Sequence, residues 1–170
     1  PTSNATHTPS STPTPAPTQI PTNPPTSTPT VTPTSAPTPG LNVIINEVDS
    51  DTPGTDTLEF IELYDGGVGN ISLDGLVVVL YNGSNNRSYV AFDLDGSHTN
   101  VNGYFTLGNA AVPGVDLVFA NSLLQNGPDA VALYAANASN FSNNTDLTLT
   151  NLRDALVYDT SDADDSGLLV

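Results

Sequence analysis

The sequence predicts an all-β domain, a β-sandwich of about eight strands, carried behind an N-terminal segment that cannot fold alone. Three observations lead there. The 170-residue chain changes composition sharply near Pro39-Gly40: 12 of its 15 prolines precede residue 41, and every Asp, Glu, Lys and Arg follows it. Beyond that point, short apolar runs rich in Val, Ile, Leu, Tyr and Phe alternate with Gly, Asn and Asp clusters, the pattern of strands joined by turns. No window there repeats its apolar residues at a helical period.

Residues 1–40 form the first expected unit, a Pro/Thr/Ser-rich disordered stalk or linker. Proline fixes φ and removes backbone donors, and almost nothing in the segment can be buried. Such a chain favours polyproline II and at roughly 3.1 Å per residue could extend to about 120 Å. Its dense Thr and Ser read as a mucin-like O-glycosylated stalk, with an undecorated linker as the alternative. No basic residue flanks a P-x-x-P to orient it on an SH3-type groove. Residues 41–170, the second unit, have a usual single-domain length and need no disulfide or metal to fold.

Strands are expected near Val43–Val48, Leu58–Tyr64, Leu76–Tyr81, Ser88–Asp93, Gly103–Leu107, Asp116–Phe119, Asp129–Tyr134 and Ala155–Tyr158. In Leu58–Tyr64 the glutamates Glu59 and Glu62 predict one wet patch on each side. Leu76–Tyr81 has no polar member and reads as a strand buried on both faces. The pairs Asn82-Gly83, Asp95-Gly96, Asn102-Gly103 and Asn126-Gly127 read as hairpin turns, because Asn, Asp and Gly tolerate positive φ. An up-and-down barrel is the other architecture these strands allow.

The stretch from Ile45-Asn46-Glu47-Val48 through the acidic loop to Glu59-Phe60-Ile61-Glu62-Leu63-Tyr64 resembles the opening of lamin tail domains, with their I-x-E-V and E-F-I-E-L pattern. Further echoes are Ile71–Leu76, Gly103–Gly108, Leu124–Tyr134 and Asp154–Asp159, so the resemblance spans nearly all of residues 41–165. It implies an immunoglobulin-like β-sandwich without catalytic residues of its own. The domain occurs as the tail of nuclear lamins and, in exported prokaryotic and algal proteins, beside hydrolase domains. The exported type is the closer parallel, because no heptad rod or basic targeting cluster is present. Two positions depart from the family: Leu76 stands where Trp is common, and Asp65 where Asn is frequent.

Charge narrows the partners. With 18 acids against Arg87 and Arg153, a net charge of −16 and no lysine, binding to phosphate backbones or anionic lipid is unfavourable. The absence of cysteine removes thiolate and Cys-zinc chemistry. No run approaches the roughly 18 consecutive apolar residues of a membrane span. The start at Pro1 reads as a fragment that leaves out any signal peptide or anchor.

Catalytic constellations lack their parts. A Ser-His-Asp triad would need His98, which sits in a turn-like Asp95–Asn100 stretch, and G-x-S-x-G, Walker and H-E-x-x-H motifs are missing. A paired-carboxylate glycosidase would have to use Glu47, Glu59 or Glu62, whose positions suit bonds to backbone N–H groups or to the two arginines. No catalytic residue is therefore expected. Calcium is the one cofactor retained as an alternative, with two oxygen-rich sets: Glu47, Asp49, Asp51 and Asp56, and Asp159, Asp162, Asp164 and Asp165. Neither completes an EF-hand, and solvated acidic loops are the simpler account of both.

Seven N-x-[ST] sequons, at Asn4, Asn70, Asn82, Asn86, Asn137, Asn140 and Asn143, suit an exported glycoprotein or arise by composition. The function expected is a non-catalytic extracellular or cell-surface binding or tethering module displayed on a stalk, its partner a protein, glycan or cell surface. Two alternatives are an accessory domain of an exported nuclease or phosphatase and a calcium-stabilised structural or adhesion domain.

Overall fold

A computed structural model describes residues 42–51 and 54–158, all within the unit Ser35–Val170. The expected stalk at 1–40 lies outside the described residues. Eight strands build two four-stranded sheets: β1 (Ile44–Asp49), β2 (Phe60–Tyr64), β3 (Leu76–Asn82), β4 (Arg87–Asp93), β5 (Tyr104–Asn109), β6 (Leu117–Phe119), β7 (Asp129–Ala135) and β8 (Leu152–Tyr158). One sheet has the order β1-β2-β5-β6 and the other β4-β3-β7-β8, so the fold is an immunoglobulin-like sandwich and not a barrel. Each expected strand is present, with ends shifted by up to three residues.

The first sheet explains the I-x-E-V motif. Ile45 and Val48 are three apart and would face opposite sides of a regular strand. A bulge between Ile45 and Glu47 resets the alternation, so Ile45 pairs with Leu63 and Val48 with Ile61 on the core side, while Asn46 and Glu47 both face outward. β2 then alternates cleanly: Ile61 and Leu63 point inward, Phe60, Glu62 and Tyr64 outward. β5 and β6 run parallel, and their short connection suffices because β6 only returns to the level of Leu107.

The second sheet is apolar on both faces. Leu76, Val78 and Leu80 of β3 and Val131 and Leu133 of β7 face the sandwich core, which they share with Ile61, Leu63, Phe105 and Leu107. Their neighbours Val77, Val79, Tyr81, Ala130, Ala132 and Tyr134 point the other way and form a second apolar cluster with Phe141. The chain between β7 and β8, residues 136–151, makes a 3₁₀ turn at Ala138–Asn140 and lays Phe141 and Leu147 over this outer face. The same excursion borders the β4 edge, where Ser88 N–H donates to Thr145 O and Leu147 N–H to Asn86 O. Strand β3 is thus buried on both faces as expected, but by a sandwich core on one side and an irregular cover on the other.

Two sequence expectations need correction. Glu59 makes no wet patch: it lies just before β2, fully buried, because Asn109 and Leu123 supply its hydrogen bonds. Of the four expected hairpin turns, only Asn82-Gly83 lies in a hairpin, and the positive φ there falls on Asn86 at 56°, the last residue of a four-residue loop. Asp95-Gly96 and Asn102-Gly103 both lie in the crossing from β4 to β5, and Asn126-Gly127 in the crossing from β6 to β7. Their chemistry still serves turns, with Gly96 and Gly103 at φ of 81° and 92°.

If the cover seals the outer face, truncating its anchor should be costly. Phe141→Ala is expected to lower unfolding free energy by about 3 kcal/mol in urea melts. A loss below about 1 kcal/mol would mean that the face tolerates water.

Candidate interaction face

Two buried carboxylates fix the loops that frame the first sheet. At one end of β2, Asp65 accepts the backbone N–H groups of Gly67 (2.9 Å), Val68 (2.9 Å) and Gly69 (3.0 Å) and the Thr99 hydroxyl (2.6 Å). Burial would raise this carboxyl, yet the Thr99 hydroxyl and the three amides together hold it below its ordinary value. The same contacts bind the β2–β3 crossing to the β4–β5 crossing, helped by Asp65 N–H on Gly103 O. Gly103 is required there, because a Cβ would stand 2.2 Å from Asp65 Oδ1. Farther along, Asp74 accepts Gly96 N–H and Asp95 accepts Gly75 N–H, each at 2.6 Å, so two Asp-Gly turns clamp each other.

At the other end, Glu59 and Asn109 exchange bonds: Glu59 N–H donates to Asn109 Oδ1 (2.8 Å) and Asn109 N–H to Glu59 O (2.9 Å). Glu59 Oε2 accepts Leu123 N–H (3.0 Å) and Asn109 Nδ2 (3.3 Å), while Oε1 is buried without a hydrogen bond. Burial pushes this carboxyl above its ordinary value, against the lowering pull of Leu123 and Asn109.

Between these pins lies the outer face of the first sheet. Register sets Ile44 opposite Tyr64 and Tyr64 opposite Tyr104, and the two tyrosine rings stack with centroids 4.7 Å apart. The next row is Glu47, Glu62 and Thr106, and beyond it Asp49, Phe60, Gly108 and Val118. Ile44 is 45 % and Val118 58 % exposed. Phe60, Tyr64 and Tyr104 join neither apolar cluster. The outer face of the second sheet has its cover; this one leaves Ile44 and Val118 exposed and Phe60, Tyr64 and Tyr104 half-buried.

Residues 36–159 match a family model described as Lamin Tail Domain. The chain belongs to the lamin tail domain family. That family is an immunoglobulin-like domain that usually mediates protein interactions, and its fold is typically non-catalytic. No curated protein matches the chain. In this lamin tail domain the two family departures have clear settings: Leu76 is a buried core residue facing the sandwich interior, and Asp65 is the loop pin.

The metal and catalytic candidates separate. Glu47 faces outward beside Glu62, whereas Asp56 is tied to the far loop through Ser122 N–H on its carbonyl and Asn126 Nδ2 on its carboxylate (3.2 Å). Among the described residues no three His, Asp or Glu side chains converge as metal ligands, so Glu47, Asp49, Asp51 and Asp56 are not gathered into a set. Asp159, Asp162, Asp164 and Asp165 lie outside the described residues. His98 is exposed and faces Ser72 across an isolated bridge near Asp74, with no hydrogen bond from the imidazole to either. Of the arginines, Arg87 pairs with Asp146 at 2.7 Å and not with a glutamate.

The sequons differ in setting. Asn70 and Asn143 are exposed, as are Asn137 and Asn140, which cap the 3₁₀ turn with their side-chain oxygens. Asn82 is engaged through Nδ2 with Gln125, and Asn86 is half-buried at the hairpin. Asn4 lies outside the described residues. The open face itself escaped sequence reasoning; its signal was Phe60, Glu62 and Tyr64, an alternate set of a core strand that is itself largely aromatic.

The two pins predict opposite pH dependence. A carboxyl held below its unfolded value contributes stability above that value and loses it as pH falls through the folded one. The gap between the wild type and Asp65→Asn should therefore be full at neutral pH and close as pH falls below the ordinary 3.8. Glu59, raised above 4.5, contributes most below that value, so the wild type should lose stability relative to Glu59→Gln as pH rises through the folded value. Urea melts between about pH 2.5 and pH 7 would measure both. A pH-independent gap for Asp65→Asn would contradict the pin.

Proposed function

We propose that this lamin tail domain is a non-catalytic binding module of an exported or cell-surface protein, which engages a protein partner through the outer face of its first sheet. One observation carries the reading. The second sheet has the centre of its outer apolar face covered by residues 136–151, with a cavity lined by Tyr81, Tyr134, Leu147 and Leu149 between cover and sheet, whereas the first leaves Ile44, Phe60, Tyr64, Tyr104 and Val118 outside both apolar clusters. Aromatic and apolar side chains on either side of a polar row, left uncovered on a folded surface, have the mixed composition of an interaction site. Rigid pins at Asp65 and Glu59 suit this use, since they hold the bordering loops in one arrangement and lower the ordering cost of docking.

The Pro, Thr and Ser composition of residues 1–40 suits a spacer that sets the distance between the domain and its anchor. Exposed sequons at Asn70 and Asn143 favour an extracellular setting. The buried carboxylates favour a non-catalytic reading, because Asp65 and Glu59 are engaged with backbone amides and not open to a substrate.

A photo-cross-linking residue placed at Thr106, on the open face, or at Thr150, on the covered side, separates the possibilities in the intact protein at its native location. Protein adducts should form from Thr106 and not from Thr150. Adducts from Thr150 alone would overturn the assignment of the face.

A further inference from the structure

The open face has a chemistry that its apolar exposure alone does not describe. Glu47 and Glu62 are direct cross-strand partners on β1 and β2, an arrangement that costs stability when the charges are alike. Asn46 Nδ2 donates to Glu62 Oε1 at 2.7 Å, which supplies a donor but no charge. Among the described residues the ion pair formed by Arg87 is with Asp146, and no Arg reaches either glutamate. The stacked rings of Tyr64 and Tyr104 lie on the same face, two residues along from Glu62 and Thr106. At roughly 3.4 Å per residue, the Cα atoms of Tyr64 and Glu62 are about 7 Å apart along β2, within the reach of one arginine side chain.

We infer that this face receives arginine side chains of a basic protein segment, one guanidinium lying on the Tyr64–Tyr104 pair with its N–H donors directed at Glu62 and Glu47. The inference rests on the proposed function and names the partner's chemistry. A guanidinium is planar and weakly hydrated, stacks on tyrosine, and offers a fork of donors to carboxylates, so both halves of the site act on one group. An ammonium can satisfy the carboxylates but gains less from the rings. The domain's net charge of −16 extends the attraction beyond contact and speeds encounter with a cationic partner, while it repels anionic polymers.

Any acidic protein attracts cations, so the test must separate a site from a field. The probe is an (Arg-Gly)₄ peptide, with (Lys-Gly)₄ as comparison, titrated into the isotopically labelled 170-residue chain at physiological ionic strength and followed by NMR. Shift changes should centre on Ile44, Glu62, Tyr64 and Tyr104, with the arginine peptide tighter by about two- to five-fold. Glu62→Gln and Tyr104→Ala should each weaken binding by a similar factor, with folding checked by urea melts. Asp93→Asn removes one charge from the other sheet and should leave affinity unchanged. Equal weakening by Asp93→Asn, shifts scattered over the acidic surface, or no binding at millimolar peptide would overturn the inference. Should Thr106 cross-links form in the intact protein while the peptide fails to bind, the face has a partner of other chemistry and only this inference falls; loss of both removes the proposed function as well.

Discussion

Strands β3 and β7 are neighbours, and neither has a polar face. Residues 76–81 and 130–134 are without exception apolar or tyrosine, so water must be kept from both sides of the sheet they centre. The sandwich core seals one side, and the excursion at 136–151 covers the centre of the other with Phe141 and Leu147, leaving Ala155 exposed on the β8 side. Tyr81 and Tyr134 can join this second cluster because their hydroxyls meet each other (3.1 Å) and Tyr134 also donates to Thr148 O (2.8 Å). Desolvation raises both phenols. This need for cover on one sheet is what makes the sandwich asymmetric and leaves the opposite sheet as the open one.

The two carboxylate pins show how the cost of burying charge is offset to different degrees. Asp65 has four donors on its two oxygens, and the summed hydrogen bonds outweigh desolvation. Glu59 has Leu123 N–H and Asn109 Nδ2 on one oxygen and a weaker pull from Leu124 N–H, and desolvation, helped by the nearby Asp56, prevails. A buried carboxylate with an idle oxygen is a costly arrangement. It persists because the same residue's backbone is locked to Asn109 in both directions and Leu123 depends on its carboxylate, so the loop before β7 is held against the end of β5. The open face is thus bordered at both ends by loops with little freedom.

The strands were legible because alternation and β-branched runs report the sandwich directly, and the family resemblance supplied the immunoglobulin-like class. The bulge at Asn46-Glu47 was implicit in the spacing of Ile45 and Val48, but only pairing with β2 reveals it. Glu59 was misread because a charged residue beside a strand looks solvated until the partner 50 positions away, Asn109, is known. The Asp-Gly and Asn-Gly pairs signalled turns correctly but not which strands the turns join, since crossings and hairpins use the same local chemistry. The cover carried little signal: Phe141 and Leu147 are isolated among Asn, Ser and Thr, and their role depends on the sheet beneath. For the open face, the outward set Phe60, Glu62 and Tyr64 was visible, yet which of two apolar faces remains exposed is a property of the assembled sandwich.

Hydroxyl-radical footprinting of the whole chain measures this asymmetry most directly, because tyrosines report on both outer faces in one sample. Half-buried Tyr64 and Tyr104 should be oxidised measurably faster than Tyr81 and Tyr134, which are fully buried beneath the cover and should stay protected until the domain unfolds. Equal protection of all four would mean that the first sheet is sealed as well. Ready oxidation of Tyr81 or Tyr134 under native conditions would mean that the cover does not close the second.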